Sequence, residues 1–533
     1  MQKISLNKKD KKLSFKTKLI LIILASVVFV IGAVTFLFLT FFHVYNTYTI
    51  APTCETLGYT ESKCIYCGEI KRTHYKDAFG HDFGELTPVS EPSELTFGKK
   101  VQYCSRCAKQ KSTPIYPTTT FKSFFYSGDL FTVDNKMAAT GLITYSHGGK
   151  TEQYYIKLKY LDSSTSRYSK HDYQISFFAD KKCTQEVKLS LMDGVGAYHS
   201  WEVYGNFFDY YNARDPVANA IYCDVRSSGK SYDKRLGKNF VTKKSEPVYL
   251  FFNEQFGGVF LLYEPDGPET MNITENTQKG SKQAIVRGKW NNWETYFKTK
   301  TKPTGPWSVK YNSTDDDTWV YDSLNELITF VSETDGEEFK KGISKYLDVD
   351  GMIDYMLTVY NIGAADNVGR SFTLATYDGK VWTPSMFDAN ASFGMDNDGE
   401  ISTLEGVLSP SLKNDGTYSS DTNSLLWDKM LNNFYSEIKA RYNQIKGKYF
   451  TPSYVYDKFQ KQIAKVPKSA LEKENGLYNV DTTTDLKQSI VNFVVTRKNI
   501  FEEFFKEKPK EESTSTSNTH TTSQVSTTTT PQN

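Results

Sequence analysis

"YLDVDGMIDYMLTVYNIGAADNVGRSFTLATYDGKVWTPSMFDANASFG" (residues 346–394) combines a helix, a short loop and a hairpin in one segment. Its first part has apolar residues at helical spacing, with Asp350 as the predicted cap. Residues 371–387 then predict a β-hairpin. Asp366 precedes this hairpin and Asp388 follows it, so we expect both carboxylates at the same end of the two strands. Paired carboxylates suit a divalent metal or acid–base catalysis.

The regions on either side of this segment differ in predicted secondary structure. Residues 118–265 are strand-rich, with one helix whose predicted cap is Asp215, followed by Pro216. Residues 266–317 predict a long loop, and the chain beyond them is mainly amphipathic helix. The predicted strands are "TEQYYIKLKYLD", "HDYQISFFAD", "EVKLSLMD" and the hairpin "PVYLFFNEQFGGVFLLYE", with its turn at Asn253–Gly258. The predicted helices are "VANAIYCDVRSSG", "DTWVYDSLNELITFVSE", "EEFKKGISKYL", "NSLLWDKMLNNFYSEIKARYNQIK" and "TDLKQSIVNFVVTRKNIFEEFFKE".

The N-terminal region predicts a membrane anchor. Residues 19–42 contain no charged residue, and a segment of this length can cross a bilayer. Seven lysines precede this segment, against one acid, Asp10. By the positive-inside rule, residues 1–18 form a basic cytoplasmic segment and the bulk of the chain lies outside the membrane. A cleaved signal peptide is the alternative.

Five of the seven cysteines fall within residues 51–117, which contain an internal repeat with a period of 40 residues. The repeat places one CxxC pair at Cys64 and Cys67 and another at Cys104 and Cys107. Two such pairs suit one tetrahedral four-thiolate zinc site. A disulfide framework is the alternative, favoured by an exported location. His81 is interpreted as a turn residue, although it is also a possible replacement ligand.

Composition limits the classes of function. A chain of 533 residues is long enough for two or three domains, and its net charge of +2 argues against a nucleic-acid-binding protein. Residues 513–533 include 14 Ser or Thr residues. Because they offer almost no apolar surface to bury, residues 509–533 are predicted to be a disordered tail.

Several segments together resemble the spore-coat protein H (CotH) kinase family, over roughly residues 120–505. The segment 346–394 is similar to the family's helix, aspartate-led loop, hairpin and "WDxDxxFG"-like motif. The hairpin 247–264 resembles another family signature through Asn253, Gly258 and Glu264. "SRYSKHDYQISF" and "WEVYGNFFDYYNARDPVANAIYCDV" resemble two more. The CxxC repeats resemble those on exported proteins of Gram-positive bacteria.

The resemblance implies an atypical protein-kinase-like fold in residues 118–508 that transfers phosphate from ATP to Ser or Thr, with Mg or Mn as the metal. It implies Asp366 as the base that accepts the substrate proton, and Asp388 as the metal ligand. Lys170 and Arg370 would neutralise phosphate charge. The other implied site residues are Glu264, paired with Lys170 or lining the nucleotide pocket, Asn219 at the nucleotide, and Ser371 and Asn390 at the metal.

Two functions follow as hypotheses. The first is a single-pass, membrane-anchored kinase whose Ser/Thr-rich substrates are surface or spore-coat proteins. The second is a catalytically inactive surface-binding or adhesion protein with the same fold. Ser371 and Asn390 bear on this choice, since the family usually has asparagine and aspartate at these two positions.

Overall fold

The computed structural model describes residues 14–130, 138–161, 168–229, 241–273, 281–289, 293–396, 399–400, 409–479 and 485–506. The Ser/Thr-rich tail and the first 13 residues, for which a basic cytoplasmic segment is predicted, lie outside this part of the chain. The described chain has a mixed α+β structure with strands concentrated in its N-terminal half and helices in its C-terminal half. It divides into two compact units, the first ending at Pro117 and the second beginning at Thr118.

The first unit contains one long helix and two small antiparallel sheets. Helix α1, Phe15–Phe41, is long and apolar enough to cross a membrane, although a signal sequence has the same properties. Strands β1–β3 form one three-stranded sheet and β4–β6 form the other. The strands are Tyr45–Ile50, Gly58–Cys64, Ile70–Lys76, Thr87–Ser90, Gly98–Tyr103 and Gln110–Ile115.

The second unit begins with a closed seven-stranded barrel in the order β10-β11-β13-β12-β7-β8-β9. Neighbours are antiparallel except β7 and β12, which pair in parallel. The barrel closes around a core of aromatic and branched side chains that alternate along the strands. The strands are β7 Ser123–Gly128, β8 Ala139–His147, β9 Lys150–Tyr160, β10 Tyr173–Phe178, β11 Ser200–Tyr204, β12 Ser245–Phe252 and β13 Gln255–Tyr263.

The predicted hairpin at 247–264 is formed by β12 and β13. Its turn is tighter than expected, since Asn253 and Glu254 alone connect the strands, both with positive φ. Such a turn matches the right-handed twist of the flanking strands. Gly258 lies within β13 and has a φ of +124°. It pairs with Leu250 of β12, and the register of the two strands shifts between Leu250 and Phe251.

A large helical core follows the barrel and encloses a four-stranded sheet in the order β15-β14-β16-β17. The hairpin predicted at 371–387 is present as β16, Thr373–Thr376, and β17, Trp382–Ser385. The other strands are β14 Ala284–Gly288, β15 Trp307–Asn312, β18 Ser411–Leu412 and β19 Tyr418–Ser419. The helices are α2 Arg214–Ser227, α3 Thr318–Glu333, α4 Gly336–Gly342, α5 Val349–Ile362, α6 Leu425–Asn433, α7 Tyr435–Tyr449, α8 Pro452–Ile463, α9 Lys468–Tyr478 and α10 Leu486–Phe504.

Some predicted elements were wrong in detail. Two strands of the central sheet, β14 and β15, lie in the region 266–317 that was predicted as loop. "EVKLSLMD" makes only isolated bridges, at Glu186 and Leu189. The helix predicted across 423–446 is interrupted at Phe434 and becomes α6 and α7. Helices α8 and α9 were not predicted.

Both predicted helix caps were also wrong, in the same way. The side chain that caps α5 belongs to Asp348, which accepts from the Gly351 N–H, and not to Asp350. At α2, Asp209 accepts from the N–H groups of Ala213 and Arg214 at 2.6 and 2.7 Å. Asp215 is instead fully buried inside the first turn. The Asp215 carboxylate has other hydrogen-bond partners, which lie in β13 and in the loop after β17.

Candidate active site

One cavity of the second unit is lined by acidic side chains, including both aspartates that flank the predicted hairpin. Strand ends and loops of the barrel contribute one part of its lining, and the segment 366–396 contributes the other. Both Asp366 and Asp388 line it, as does Arg370. The full lining is Asp172, Tyr204, Asn206, Phe207, Phe208, Asp209, Asp366, Arg370, Asp388, Asn390, Ala391, Met395 and Asp396.

Asp366 and Asp388 are brought to this cavity by a specific buried contact. Asp366 lies in a single turn of 3-10 helix, Ala365–Val368. The adjacent residue Asn367 is fully buried, and its Nδ2 donates to the carbonyl oxygen of Phe387 at 2.9 Å. This bond joins the loop before the hairpin to the loop after it. The expectation that the hairpin brings both carboxylates to one place is therefore confirmed.

The backbone next to Asp388 is fixed by a hydrogen bond to the buried side chain of Asp215. One carboxylate oxygen of Asp215 accepts from the Ala389 N–H at 2.8 Å, and the other accepts from the Tyr263 hydroxyl. Burial raises the pKa of Asp215 above its ordinary value. Asp215 thus connects α2, β13 and the loop that carries Asp388.

Asp388 has an unusual protonation equilibrium for an aspartate. Burial, together with the carboxylates of Asp215, Asp366 and Asp172, raises the pKa of Asp388 from 3.8 to about 7, while Arg370 lowers it. The charged form of a buried acid among other acids is unfavourable until a cation neutralises it. Near neutral pH, Asp388 is therefore poised between protonated and ionised forms.

This shift predicts how Asp388 affects stability as a function of pH. The unfolded chain releases the Asp388 proton near pH 3.8 and the folded chain near pH 7, so stability falls as pH rises across that interval and is then constant. We expect Asp388→Asn, with chelator present, to change stability little at pH 4 but to increase it by about 2 kcal/mol at pH 8. This is less than the full pKa shift corresponds to, because Asp388 is incompletely buried and solvent screens part of the repulsion. Denaturant unfolding at both pH values measures this difference.

The matched control for this measurement is Asp457→Asn on the exposed face of α8. It makes the same chemical change outside the cavity and should show no such pH dependence. An Asp388→Asn effect of equal size at pH 4 and pH 8 contradicts the assignment.

A continuous path of hydrogen bonds links Asp388 to a buried ion pair between Lys170, which precedes β10, and Glu474 on α9. Lys170 and Glu474, both only 2% exposed, pair at 2.6 Å between Nζ and Oε1. The intervening side chains are amides, which can donate and accept at once. The bonds are Asn390 Nδ2 to Asp388 Oδ1 (2.9 Å) and to Asn206 Oδ1 (2.9 Å), Asn206 Nδ2 to Asn212 Oδ1 (3.0 Å), Asn212 Nδ2 to Val259 O (3.0 Å), and Lys170 Nζ to Val259 O (2.7 Å).

Several residues of this path have left-handed backbone conformations. Asn206, Asn212 and Asp388 have φ of +48°, +49° and +54°, and nearby Phe393 has +50°. Asn and Asp tolerate this region better than other non-glycine residues, whereas an aromatic residue there is an outlier. Such strain persists only where surrounding contacts impose it, and it clusters at functional sites.

Four predicted site residues do not line the cavity. Glu264 does not pair with Lys170; it is buried and accepts from the Lys244 N–H at 2.9 Å, and Glu474 takes its place at the lysine. Ser371 is buried and does not line the cavity, and its N–H donates to the Asp366 carbonyl. Asn219 lines a separate, lysine-rich cavity. Lys170 is the fourth, and the amide path links it to the lining.

Sequence reasoning missed other residues of the site. Asp172 lines the cavity, is 4% exposed and accepts from the Gly205 N–H at 2.7 Å. The only signal for Asp172 was its position two residues after Lys170. Glu474, on the unpredicted helix α9, gave no signal, since it lies 304 positions from its partner along the chain.

The two CxxC pairs of the first unit lie in separate groups, so they do not form the four-thiolate zinc site that was one of the two alternatives for these cysteines. Cys64 and Cys67 lie with His43, whereas Cys104 and Cys107 lie with Cys54 and His81. In each group the ligand atoms are within 4.8 Å of one another. The position of His81 favours the alternative of a replacement ligand, since its Nδ1 lies 3.4 Å from Cys107 Sγ.

Fold and cavity together define an α+β protein in which a β-barrel and a helical half combine at an acid-lined cavity. A model of the CotH kinase protein family matches residues 159–501, which is well over half of the chain. The chain belongs to the CotH kinase protein family. A search of curated proteins finds no match to it.

Proposed function

We propose that this chain is a metal-dependent protein kinase that transfers the γ-phosphoryl group of ATP to Ser or Thr hydroxyls. Membership of the CotH kinase family suggests a kinase-like function. The observation that carries the finer proposal is the joint placement of Asp366, Asp388 and Arg370 in one acid-lined cavity. Phosphoryl transfer depends mainly on positioning and on neutralising charge, and these residues provide both.

The charge of the cavity supports a divalent cation. Five aspartates line it against one arginine, so a polyphosphate could not enter without cations. Mg²⁺ is usually bound by one or two carboxylates together with substrate phosphates, and not by a complete protein cage. Asp388 and the Oδ1 of Asn390 would hold it, because that oxygen is buried and has no hydrogen-bond partner. When bound, the metal would neutralise charge on the phosphates.

The proposed roles of the other residues follow from their positions. Asp366 accepts the proton of the substrate hydroxyl while the hydroxyl oxygen bonds to phosphorus and the bond to the ADP oxygen breaks. Arg370 stabilises negative charge on the transferred group. Lys170 and Glu474 are positioning residues that hold the Val259 carbonyl and, through the amide path, Asn390 and Asp388.

The location and the substrate complete the proposal. Helix α1 would anchor the chain in the membrane as a single-pass protein, with the bulk of the chain extracytoplasmic. Ser/Thr-rich surface or spore-coat proteins are the proposed substrates. The chain's own residues 513–533 are one accessible test substrate, because a tethered segment has a high effective concentration.

The test is phosphate transfer by the full-length chain in detergent with radiolabelled ATP and Mn²⁺ or Mg²⁺. We expect labelling of the wild type, mapped to Ser or Thr by mass spectrometry. Asp366→Asn should reduce the rate by about 10²–10⁴-fold, since it removes the general base. Asp457→Asn is again the matched control and should retain the wild-type rate. Equal labelling by Asp366→Asn and the wild type contradicts the assigned base, and no labelling of the wild type contradicts the proposed activity.

A further inference from the structure

We propose that Cys54, His81, Cys104 and Cys107 bind one Zn²⁺ in a closed tetrahedral site that joins the two repeats of the Cys-rich module. Cys54 lies in the first repeat, between β1 and β2, whereas Cys104 and Cys107 belong to the second repeat. His81 precedes β4 of the second sheet, where Phe83 forms a bridge with Cys104. All four ligand atoms lie within 4.8 Å of one another. Three thiolates and one imidazole are a common ligand set for structural zinc.

The distances fit a metal better than a disulfide. Two sulfurs at about 2.3 Å from a tetrahedral zinc are about 3.8 Å apart. Cys54 Sγ and Cys104 Sγ are 3.8 Å apart, whereas a disulfide requires about 2.05 Å. A disulfide would also use only two of the three thiols and would leave the imidazole without a function.

The surroundings of the cluster fix its ligands as metal sites usually do. The Nδ1 of His81 is directed to Cys107, while its Nε2 lies 3.1 Å from the Glu55 carboxylate. A carboxylate on the second ring nitrogen orients a ligating histidine and fixes its tautomer. Cys104 Sγ accepts from the Asp82 N–H at 3.4 Å.

The module has little else to stabilise it. Between residues 43 and 117, the buried hydrophobic residues are Cys54, Cys64, Leu95, Val101 and Cys104. Three of these five are cysteines of the two clusters. A segment of this size with so small an apolar core usually needs a disulfide or a metal to fold. Zinc bound across the repeats supplies that stabilisation.

The second cluster differs from the first in being incomplete. His43, Cys64 and Cys67 provide three ligand atoms, with His43 Nδ1 at 3.3 Å from Cys67 Sγ. Its CxxC turn matches the other one, since the N–H groups of Gly68 and Ala108 donate to the carbonyls of Cys64 and Cys104 at 3.0 and 2.9 Å. Among the described residues no fourth ligand atom lies within 4.8 Å of all three, although the Glu69 carboxylate is 3.4 Å from His43 Nδ1. We therefore expect this cluster to bind zinc more weakly.

The test measures zinc in the full-length chain, purified in detergent and then dialysed against a weak chelator. We expect one zinc ion per chain to remain in the wild type. Cys54→Ser should lose that ion, whereas Cys64→Ser should retain it, because Cys64 belongs to the incomplete cluster. Cys183→Ser, at a single buried cysteine of the second unit, is the matched control and should also retain it.

Spectroscopy of the wild type keeps the test valid if Cys54→Ser does not fold. Co²⁺ replacing the retained ion should give a tetrahedral spectrum with thiolate-to-cobalt charge transfer. A wild-type chain without zinc that also gives no such cobalt spectrum overturns the proposal. So does folded Cys54→Ser with its zinc retained, or a disulfide from Cys54 found by non-reducing peptide mapping.

Discussion

Asp388→Asn is expected to abolish the stabilisation of the chain by ATP and Mn²⁺. A ligand at a hundred times its dissociation constant stabilises a folded protein by about 2.7 kcal/mol. The wild type should show an increase of this order in thermal or denaturant unfolding. The variant should show no such increase, because the amide of asparagine lacks the negative charge that binds the cation. Phosphate transfer should fall with it.

The same substitution is expected to have the opposite effect on stability when ATP and Mn²⁺ are absent. Asp388 is surrounded by Asp172, Asp215 and Asp366, so removing its charge relieves repulsion in the empty cavity at pH 8. The variant should therefore be more stable than the wild type in chelator and less stable in saturating ATP and Mn²⁺. Functional sites often retain such destabilising charges because activity requires them.

The outcome that contradicts the metal-ligand role is equal stabilisation of the wild type and Asp388→Asn by ATP and Mn²⁺. Asp457→Asn should respond as the wild type does. If ATP stabilises both proteins without any divalent cation, the cavity binds nucleotide by another arrangement.

Lys170→Met is expected to destabilise the second unit by about 3–5 kcal/mol. It leaves the buried Glu474 carboxylate without its 2.6 Å ion-pair partner. An unpaired buried charge is costly, whereas replacing both partners by apolar residues of similar volume is often neutral or stabilising. Lys170→Met/Glu474→Leu should therefore recover most of the stability lost in the single variant.

Denaturant unfolding of the two single variants and the double variant measures this coupling, with exposed Lys461→Met as the matched control. Phosphate transfer by the double variant then separates stability from positioning. A stable double variant with a reduced rate supports the positioning role of the pair. Single variants as stable as the wild type contradict the importance of the ion pair.

The hairpin and its acids were predictable because they depend on local order. The residues between Asp366 and Asp388 form two short strands with a turn, and a hairpin must bring its ends together whatever surrounds it. The long helices α3 and α10 were predictable for a similar reason, since helical spacing of apolar residues is a local signal. The helix caps were not, because several aspartates near each helix start were equally suited to the role.

The pairings between distant segments were not predictable. Lys170 could have paired with any acid, and its choice of Glu474 depends on α9 packing against β13. Asn390 was predicted at the metal site, but nothing in the sequence indicated that its amide donates to Asp388 and to Asn206. In the first unit, spacing placed the two CxxC pairs at one metal, although each lies with ligands from elsewhere in the module.

The sequence by itself determined the α+β order of the chain, the apolar N-terminal segment, the CxxC repeat and the closeness of Asp366 and Asp388. These features follow from composition, periodicity and chain connectivity over short distances. Only the tertiary structure decided that Asp172 and Asp215 surround Asp388, that Glu474 pairs with Lys170, and that Cys54 and His81 join Cys104 and Cys107. Those contacts depend on how separate elements pack, which side-chain type and spacing do not specify.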